Sequence, residues 1–422
     1  MHFPTKTVSA LPALLVGAGL AGTTFAEEDP GLVGASLTVG FKETDNRDLV
    51  DKGKKEDQFS WYVAPTIRIR EEIADLLHLA GTYSPIFTHY SNCSRGQDDT
   101  KWEHALRFDL SWKATPLTTV ELSERYWWSD RNDTFYGDEY EYDSNRDSRL
   151  SNDYYQNRFG GSIKQELAED GDYVKVGGRW RVKRYDEKVF SRTNDEDEWG
   201  ARAEFMHVFS RTFSFGVFAD YTGWDRESYP EMELGVDYLT AGIQAEWDFS
   251  GDGNHRVYAS TGYNHIWYES DDMDDQDLFG DSKLELRLFQ QTDTQLYGGV
   301  RYGRDYANIY PFSSQEDLAG YVSVRQFLGR DRRFSVNASV ELRTRTYDAD
   351  EDLNPAAAKY IEGKAGKSEF DRDSVYVRVA ARYAVTDWFT LGAYYTYEDI
   401  DSEIASSYKE NVFGVNATVT FF

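Results

Sequence analysis

The stretch NVFGVNATVTFF, residues 411–422, decides how this chain is read. In an extended backbone, side chains alternate between two faces. Phe413, Val415, Ala417, Val419 and Phe421 then share one face, and Gly414, Asn416, Thr418 and Thr420 share the other. A two-faced strand needs a partner, yet this one ends the polypeptide. Residues 33–41 show the same pattern, with Val33, Ala35, Leu37, Val39 and Phe41 set against Gly34, Ser36, Thr38 and Gly40. Pairing these two strands closes the sheet and leaves no edge.

The residues before that first strand read as a leader. His2 and Lys6 precede an apolar run from Val8 to Leu20, and Thr24-Phe25-Ala26 comes just before Glu27-Glu28-Asp29-Pro30. A short basic start, a brief apolar core and a small-residue site describe a secretory signal peptide over residues 1–26. Residues 27–422 are then the mature chain. It holds no apolar run long enough to span a bilayer as a helix.

Composition agrees with a wall that is wet on one side. Mean hydropathy is −0.66, although 16% of residues are Phe, Trp or Tyr. A transmembrane barrel combines these features, because half of each strand faces water. The formal net charge of −28 argues against nucleic acid as a partner, since binding phosphate needs a basic footprint. Cys93 is the one cysteine. It has no internal disulfide partner, and no metal-ligand or nucleophile constellation surrounds it in sequence.

From Val33 onward the alternation repeats. Phe59, Trp61, Val63, Pro65, Ile67 and Ile69 oppose Ser60, Tyr62, Ala64, Thr66, Arg68 and Arg70; Leu106, Phe108, Leu110 and Trp112 oppose Arg107, Asp109, Ser111 and Lys113. Continued along the chain, this gives about eighteen strands, an even number as in single-chain bacterial barrels. Connections sort into short ones (such as 114–117, 168–171, 209–212 and 329–332) and long ones (such as 42–58, 131–153, 269–280 and 347–372). Short periplasmic turns and long external loops are the mark of a barrel inserted from one side. Aromatic residues of outward parity gather at both strand ends. Trp61, Trp102, Trp128, Trp199, Trp267, Tyr302 and Tyr397 lie toward the loops; Trp112, Phe213, Phe215, Trp247, Phe249, Phe334, Phe389 and Phe421 lie toward the turns. Two such belts suit the two membrane–water interfaces. The fold class expected is all-β, a closed antiparallel transmembrane β-barrel.

Some residues carry a family resemblance. The aromatic last strand resembles the terminal signal of bacterial outer-membrane barrels, although there the final Phe shares the outward parity and here Phe421 does. The run Ala64-Pro65-Thr66-Ile67-Arg68-Ile69-Arg70, followed by Tyr83-Ser84-Pro85 and Tyr90, resembles the beta-barrel porin 2 family, as does the cadence Val208-Phe209-Ser210-Arg211-Thr212-Phe213-Ser214. That resemblance implies a bacterial outer-membrane location, lipopolysaccharide as surroundings, and, for some members, a polysaccharide-export system as partner. It transfers no functional residue.

At this strand number a barrel encloses an aqueous channel, so the inward parity speaks to cargo. Pore-lining candidates are Arg68, Arg70, Arg107, Arg125, Arg158, Arg179, Arg181, Arg202, Arg301, Arg325, Arg343, Arg345, Arg378 and Arg382, with the aromatics Tyr62, Trp127, Tyr297, Tyr321, Tyr376 and Tyr394. Basic rings bias a pore toward anions, guanidinium forks grip carboxylates and phosphates, and aromatic faces can stack on sugar rings. The expectation is a porin-like channel passing saccharides. Two alternatives stand beside it: inward Arg and Glu that pair and fill the lumen, and a non-conducting structural or surface-binding barrel. The acidic segment 268–281 lacks the Gly and Glu positions of a calcium loop, and no cofactor or metal is expected. No Ser is placed to meet His78, His104, His207 or His265 as a hydrolytic pair.

Overall fold

The computed structural model describes residues 33–45, 57–91, 99–130, 154–167, 171–185, 195–228, 232–268, 277–306, 314–348, 369–403 and 407–421. The leader, Cys93, Phe422 and most of the acidic 268–281 segment lie outside them. So do most residues of the two longest connections.

The described residues form one closed sheet of eighteen antiparallel strands. In order these are β1 (Val33–Thr44), β2 (Gln58–Ile73), β3 (Leu77–Tyr90), β4 (Thr100–Thr115), β5 (Thr118–Ser129) and β6 (Tyr154–Glu166). Next come β7 (Tyr173–Tyr185), β8 (Glu196–Ser210), β9 (Phe213–Ser228), β10 (Met232–Asp248), β11 (Arg256–Tyr268) and β12 (Asp277–Leu288). The last six are β13 (Thr294–Tyr306), β14 (Ser314–Leu328), β15 (Phe334–Asp348), β16 (Glu369–Thr386), β17 (Phe389–Ser402) and β18 (Tyr408–Thr420). Each strand pairs with its sequence neighbours, and β1 pairs with both β2 and β18.

Closure runs through the two strands that opened the sequence reading. Leu37 faces Val419 and Phe41 faces Val415 on the outer side. On the inner side Thr38 faces Thr418, their hydroxyls 2.9 Å apart. The seam is tied at both ends. The Phe421 amide donates to the Ala35 carbonyl at 2.8 Å, and Asp45 accepts from the backbone and side-chain nitrogens of Asn411, each at 2.7 Å.

Side chains follow the alternation. Outward positions at mid-strand carry exposed Val, Leu and Ile, among them Ile163, Val176, Val217, Ile243, Val300, Val322 and Leu342. Exposed Trp102 and Trp199 stand toward the loop ends, and Trp112, Trp247, Phe249, Phe213 and Phe421 toward the turns. The turn-side belt also contains Phe209, Phe289 and Trp388. A stripe this apolar on the outside of a closed sheet fits a hydrocarbon surround, where no backbone edge can be left open.

Several strands run further on the loop side than the alternation indicates. β10 begins at Met232, β16 at Glu369 and β12 at Asp277, while β17 continues to Ser402. The reason is physical: above the bilayer both faces meet water, so the polarity pattern fades while the hydrogen-bond ladder continues. The turn between β2 and β3 is tight, with Ala74 at φ 47° and Asp75 at φ 57°.

Candidate functional site

The lumen holds a cavity of about 1370 Å³ bordered by residues of β1 to β12. Arg68, Arg107, Arg125, Arg158, Arg179, Arg202 and Trp127 border it. Lys175, Arg256, Lys283 and Arg287 do as well. These four share the inward parity of their strands but were not among the candidates.

Strand register arranges the basic residues into a row. Arg68 is paired with Thr82, Thr82 with Arg107, Arg107 with Arg125, Arg125 with Arg158 and Arg158 with Arg181. Four arginines thus stand directly opposite one another on β4 to β7, about 5 Å apart at the backbone by ordinary strand spacing. Strands of a barrel tilt by roughly 35–45° to its axis, so a row of directly paired residues climbs the wall obliquely. Arg68 lies toward the turn end of β2, and Arg181 lies toward the loop end of β7. The Arg107 side chain is 57% exposed to the lumen and braced by Asp109, Nε to Oδ2 at 2.6 Å.

Beyond the row the wall becomes zwitterionic. Glu198, paired with Arg181 in register, takes Arg181 at 3.0 Å and Arg179 at 3.5 Å. Asp220 takes Arg179 at 2.8 Å and Arg202 at 3.7 Å. Arg202 also reaches Glu204 at 3.3 Å and Gln244 at 2.9 Å, with its guanidinium 4.6 Å from the centre of the Phe218 ring. Further round, Arg256 meets Glu246 at 3.4 Å, and Glu285 holds both Lys283 at 3.0 Å and Arg287 at 2.7 Å. These pairs fix the side chains and cancel their charge locally.

None of the described residues of β13 to β18 borders the cavity. Asp317 takes Arg301 at 3.1 Å and Arg343 through two contacts, Nε to Oδ1 at 2.6 Å and a second through Nη2. Arg345 is buried beside them. Arg378 lies 5.7 Å from the centre of the Tyr394 ring. Arg382 stands in register between Ser335 and Gly392. Arg70 is exposed toward the turn end of β2.

The tyrosines are pressed against the wall. Tyr62 is directly opposite Gly40, Tyr394 opposite Gly414 and Tyr321 opposite Gly299. At each glycine an added Cβ would overlap the facing ring. A ring lying over a cross-strand glycine covers bare backbone and firms the sheet. Tyr297 packs on Tyr321 in a tilted pair with centroids 5.4 Å apart, and Tyr376 stands in register between Glu341 and Glu398. None of these five tyrosines borders the cavity. Sequence could place them inward but could not show which glycine each would meet.

Of the histidines, His78 borders the cavity. His104 is on the outer face, its Nδ1 2.8 Å from the Tyr83 hydroxyl and its ring 5.2 Å from Trp128. His265 packs on Trp267 at 4.4 Å. His207 packs on Phe209 at 4.3 Å. They belong to the aromatic belts.

No family model matches the chain, and no curated protein matches it. Among solved structures it is similar to the outer membrane protein OpdK of Pseudomonas aeruginosa, with 9% identity, a TM-score of 0.46, and coverage of 92% of this chain and 99% of that one. It is similar to OccAB4 of Acinetobacter baumannii, with 11% identity, a TM-score of 0.45, and coverage of 94% and 100%. The siderophore receptor PirA of Pseudomonas aeruginosa gives 8% identity, a TM-score of 0.48, and coverage of 92% and 80%.

Proposed function

We propose that this protein is a porin-like conduit of a bacterial outer membrane that favours anionic solutes, acidic saccharides among them. The observation that carries this reading is the oblique arginine row through Arg68, Arg107, Arg125 and Arg158, all of which border the cavity. Closely spaced cations along a water-filled wall lower the barrier for an anion without holding it in one deep well, which is what conduction requires. Guanidinium groups grip carboxylates and phosphates well, and that of Arg107 is more than half exposed to the lumen. The zwitterionic wall that continues the row supplies alternating donors and acceptors suited to hydroxyl groups. Trp127, on the rung beside Arg125, offers an aromatic face for a sugar ring. The outward apolar stripe between two aromatic belts supports the membrane location, with lipopolysaccharide around the loop-side belt. A saccharide-export system as partner rests on the family resemblance alone.

Planar-bilayer recording under a KCl gradient tests the reading. Stepwise conductance with a reversal potential on the anion side is expected. Replacing Arg107, Arg125 and Arg158 together by Gln should move that potential toward the unselective value, and short uronate oligomers should block the parent current more than neutral oligomers do. A barrel that inserts but stays silent would overturn the proposal in favour of a structural role.

A further inference from the structure

The eighteen strand seams are not equally closed. Between β12 and β13 the ladder register runs only from Ser282↔Tyr302 to Leu288↔Leu296. Gly280 and Asp281 on one side, and Gly303 and Arg304 on the other, are outside it. Both strands nevertheless stay in the sheet through their other edges. Gly280 and Asp281 pair with Tyr263 and Gly262 of β11, and Gly303 and Arg304 pair with Asp317 and Glu316 of β14. The wall is therefore split from the level of Tyr302 toward the loops, which is the level of the outer aromatic belt.

Two luminal side chains close the split. Asn264, on β11 and almost fully buried, sends its Nδ2 past β12 to the Arg304 carbonyl of β13 at 2.8 Å. Its own Oδ1 accepts from the Thr240 hydroxyl at 3.1 Å. Asp281 lays its carboxylate against the bare Cα of Gly303, where an added Cβ would stand 2.6 Å from Oδ2. Asp281 also borders the cavity. Among the described residues nothing covers the gap on the outer face: a Cβ on Gly280 would meet none of their atoms within 4 Å. The flanking outward residues Tyr263, Tyr302 and Leu318 are exposed.

A ladder broken at membrane level is costly unless its polar groups find other partners. Here one side-chain amide supplies the missing donor, and a single side chain can swing away where a ladder cannot. We propose that the β12–β13 seam is a lateral portal, latched by Asn264 and Asp281, through which an anionic amphiphile passes between the lumen and the outer-leaflet headgroup zone. The polarity of the two sides names that ligand class. Lys283 and Arg202 border the cavity beside Asp281 on the luminal side, and apolar and aromatic residues flank the outer side. A molecule lodged in the split would keep its charged head inside and its alkyl chain outside. This inference rests on the conduit reading.

The test compares two permanently charged probes, methanesulfonate and decanesulfonate (the latter below its micelle concentration), in planar bilayers. Both should carry current through the parent protein. Asn264→Ala should raise the decanesulfonate-to-methanesulfonate permeability ratio roughly fivefold, the population shift of one ordinary net hydrogen bond. A double variant, Gly280→Cys with Arg304→Cys in a Cys93→Ser background, bridged by a short bis-maleimide, should lower the ratio below the parent value while leaving methanesulfonate current intact. Folding of each variant is checked by its heat-dependent gel mobility. If methanesulfonate passes but the ratio ignores both changes, the portal is wrong and the conduit stands. If neither probe passes in the parent, the conduit reading fails and the portal with it.

Discussion

Tyr62 lies flat over Gly40 across the β1–β2 seam, and Tyr394 repeats the arrangement over Gly414 beside the same closure. Ring and glycine form one unit: the glycine is bare because the ring occupies the place of its side chain. Gly40→Ala should therefore overpack the seam and cost about 1–3 kcal/mol. In a Tyr62→Ala background the same change should cost much less, because the two residues are coupled. Urea unfolding of the four proteins in lipid vesicles, analysed as a double-mutant cycle, measures that coupling. Additive costs would show that the ring and the glycine are independent.

The arginine row makes function and stability pull in opposite directions. Like charges placed directly opposite across strands destabilise a sheet by roughly 0.2–1 kcal/mol per pair, and Arg158 faces Arg125 on one side and Arg181 on the other. Arg158→Glu turns that part of the row into alternating charge. The variant is expected to resist urea at least as well as the parent while losing much of its anion preference in reversal-potential measurements. A large loss of stability with selectivity unchanged would mean that Arg158 serves the fold.

What sequence makes legible here is facing, and what it leaves dark is register. Period-two alternation places Arg107, Arg125, Arg158 and Arg181 inward, because lipid on one side and water on the other force the pattern residue by residue. That they stand abreast depends on the offset between each pair of strands, which their irregular spacing along the chain does not reveal. Likewise, Tyr321 is readable as inward, but its resting place on Gly299 is a cross-strand fact. Strand ends near Asp371 and Asp401 were hidden because both faces are wet there. The turn at Ala74 and Asp75 was hidden because neither residue is the Gly or Asn that such backbone angles usually draw. The β12–β13 split leaves no mark at all in the alternation.

At the turn between β6 and β7, Asp172 tethers the turn to β8. Its Oδ1 accepts from the Val208 amide at 2.7 Å, and its Oδ2 lies 2.7 Å from Nδ1 of His207. The Val208 hydrogen bond first, and the His207 contact second, hold its carboxyl below the ordinary carboxylate range. A carboxyl depressed in the folded state stabilises above its unfolded pKa, near 3.9 for Asp, and that contribution is lost as pH falls through the folded value. Protection of the Val208 amide from hydrogen exchange should therefore stay level from neutrality down to about pH 4 and decline below it. In Asp172→Asn the amide oxygen still accepts that hydrogen bond but carries no titrating charge, so the decline should disappear. A decline of equal size in the variant would place the sensitivity elsewhere.

Neighbouring residues on β15 separate the two sides of the wall most sharply. Val340 is exposed outward at mid-strand, with Val322 and Val377 beside it in register. Ser339, one residue earlier, faces the lumen between Ser323 and Arg378. Val340→Lys places an ammonium in hydrocarbon and should cost about 2–4 kcal/mol in a bilayer. Ser339→Lys adds a charge to an aqueous wall, opposite one like charge, and should cost less than about 1 kcal/mol. In a mild, short-chain detergent that admits water to the outer face, the gap between the two variants should narrow, because only the Val340 penalty comes from the surrounding lipid. Equal costs in the bilayer would mean that the apolar stripe does not face lipid, and the membrane assignment would fall with it.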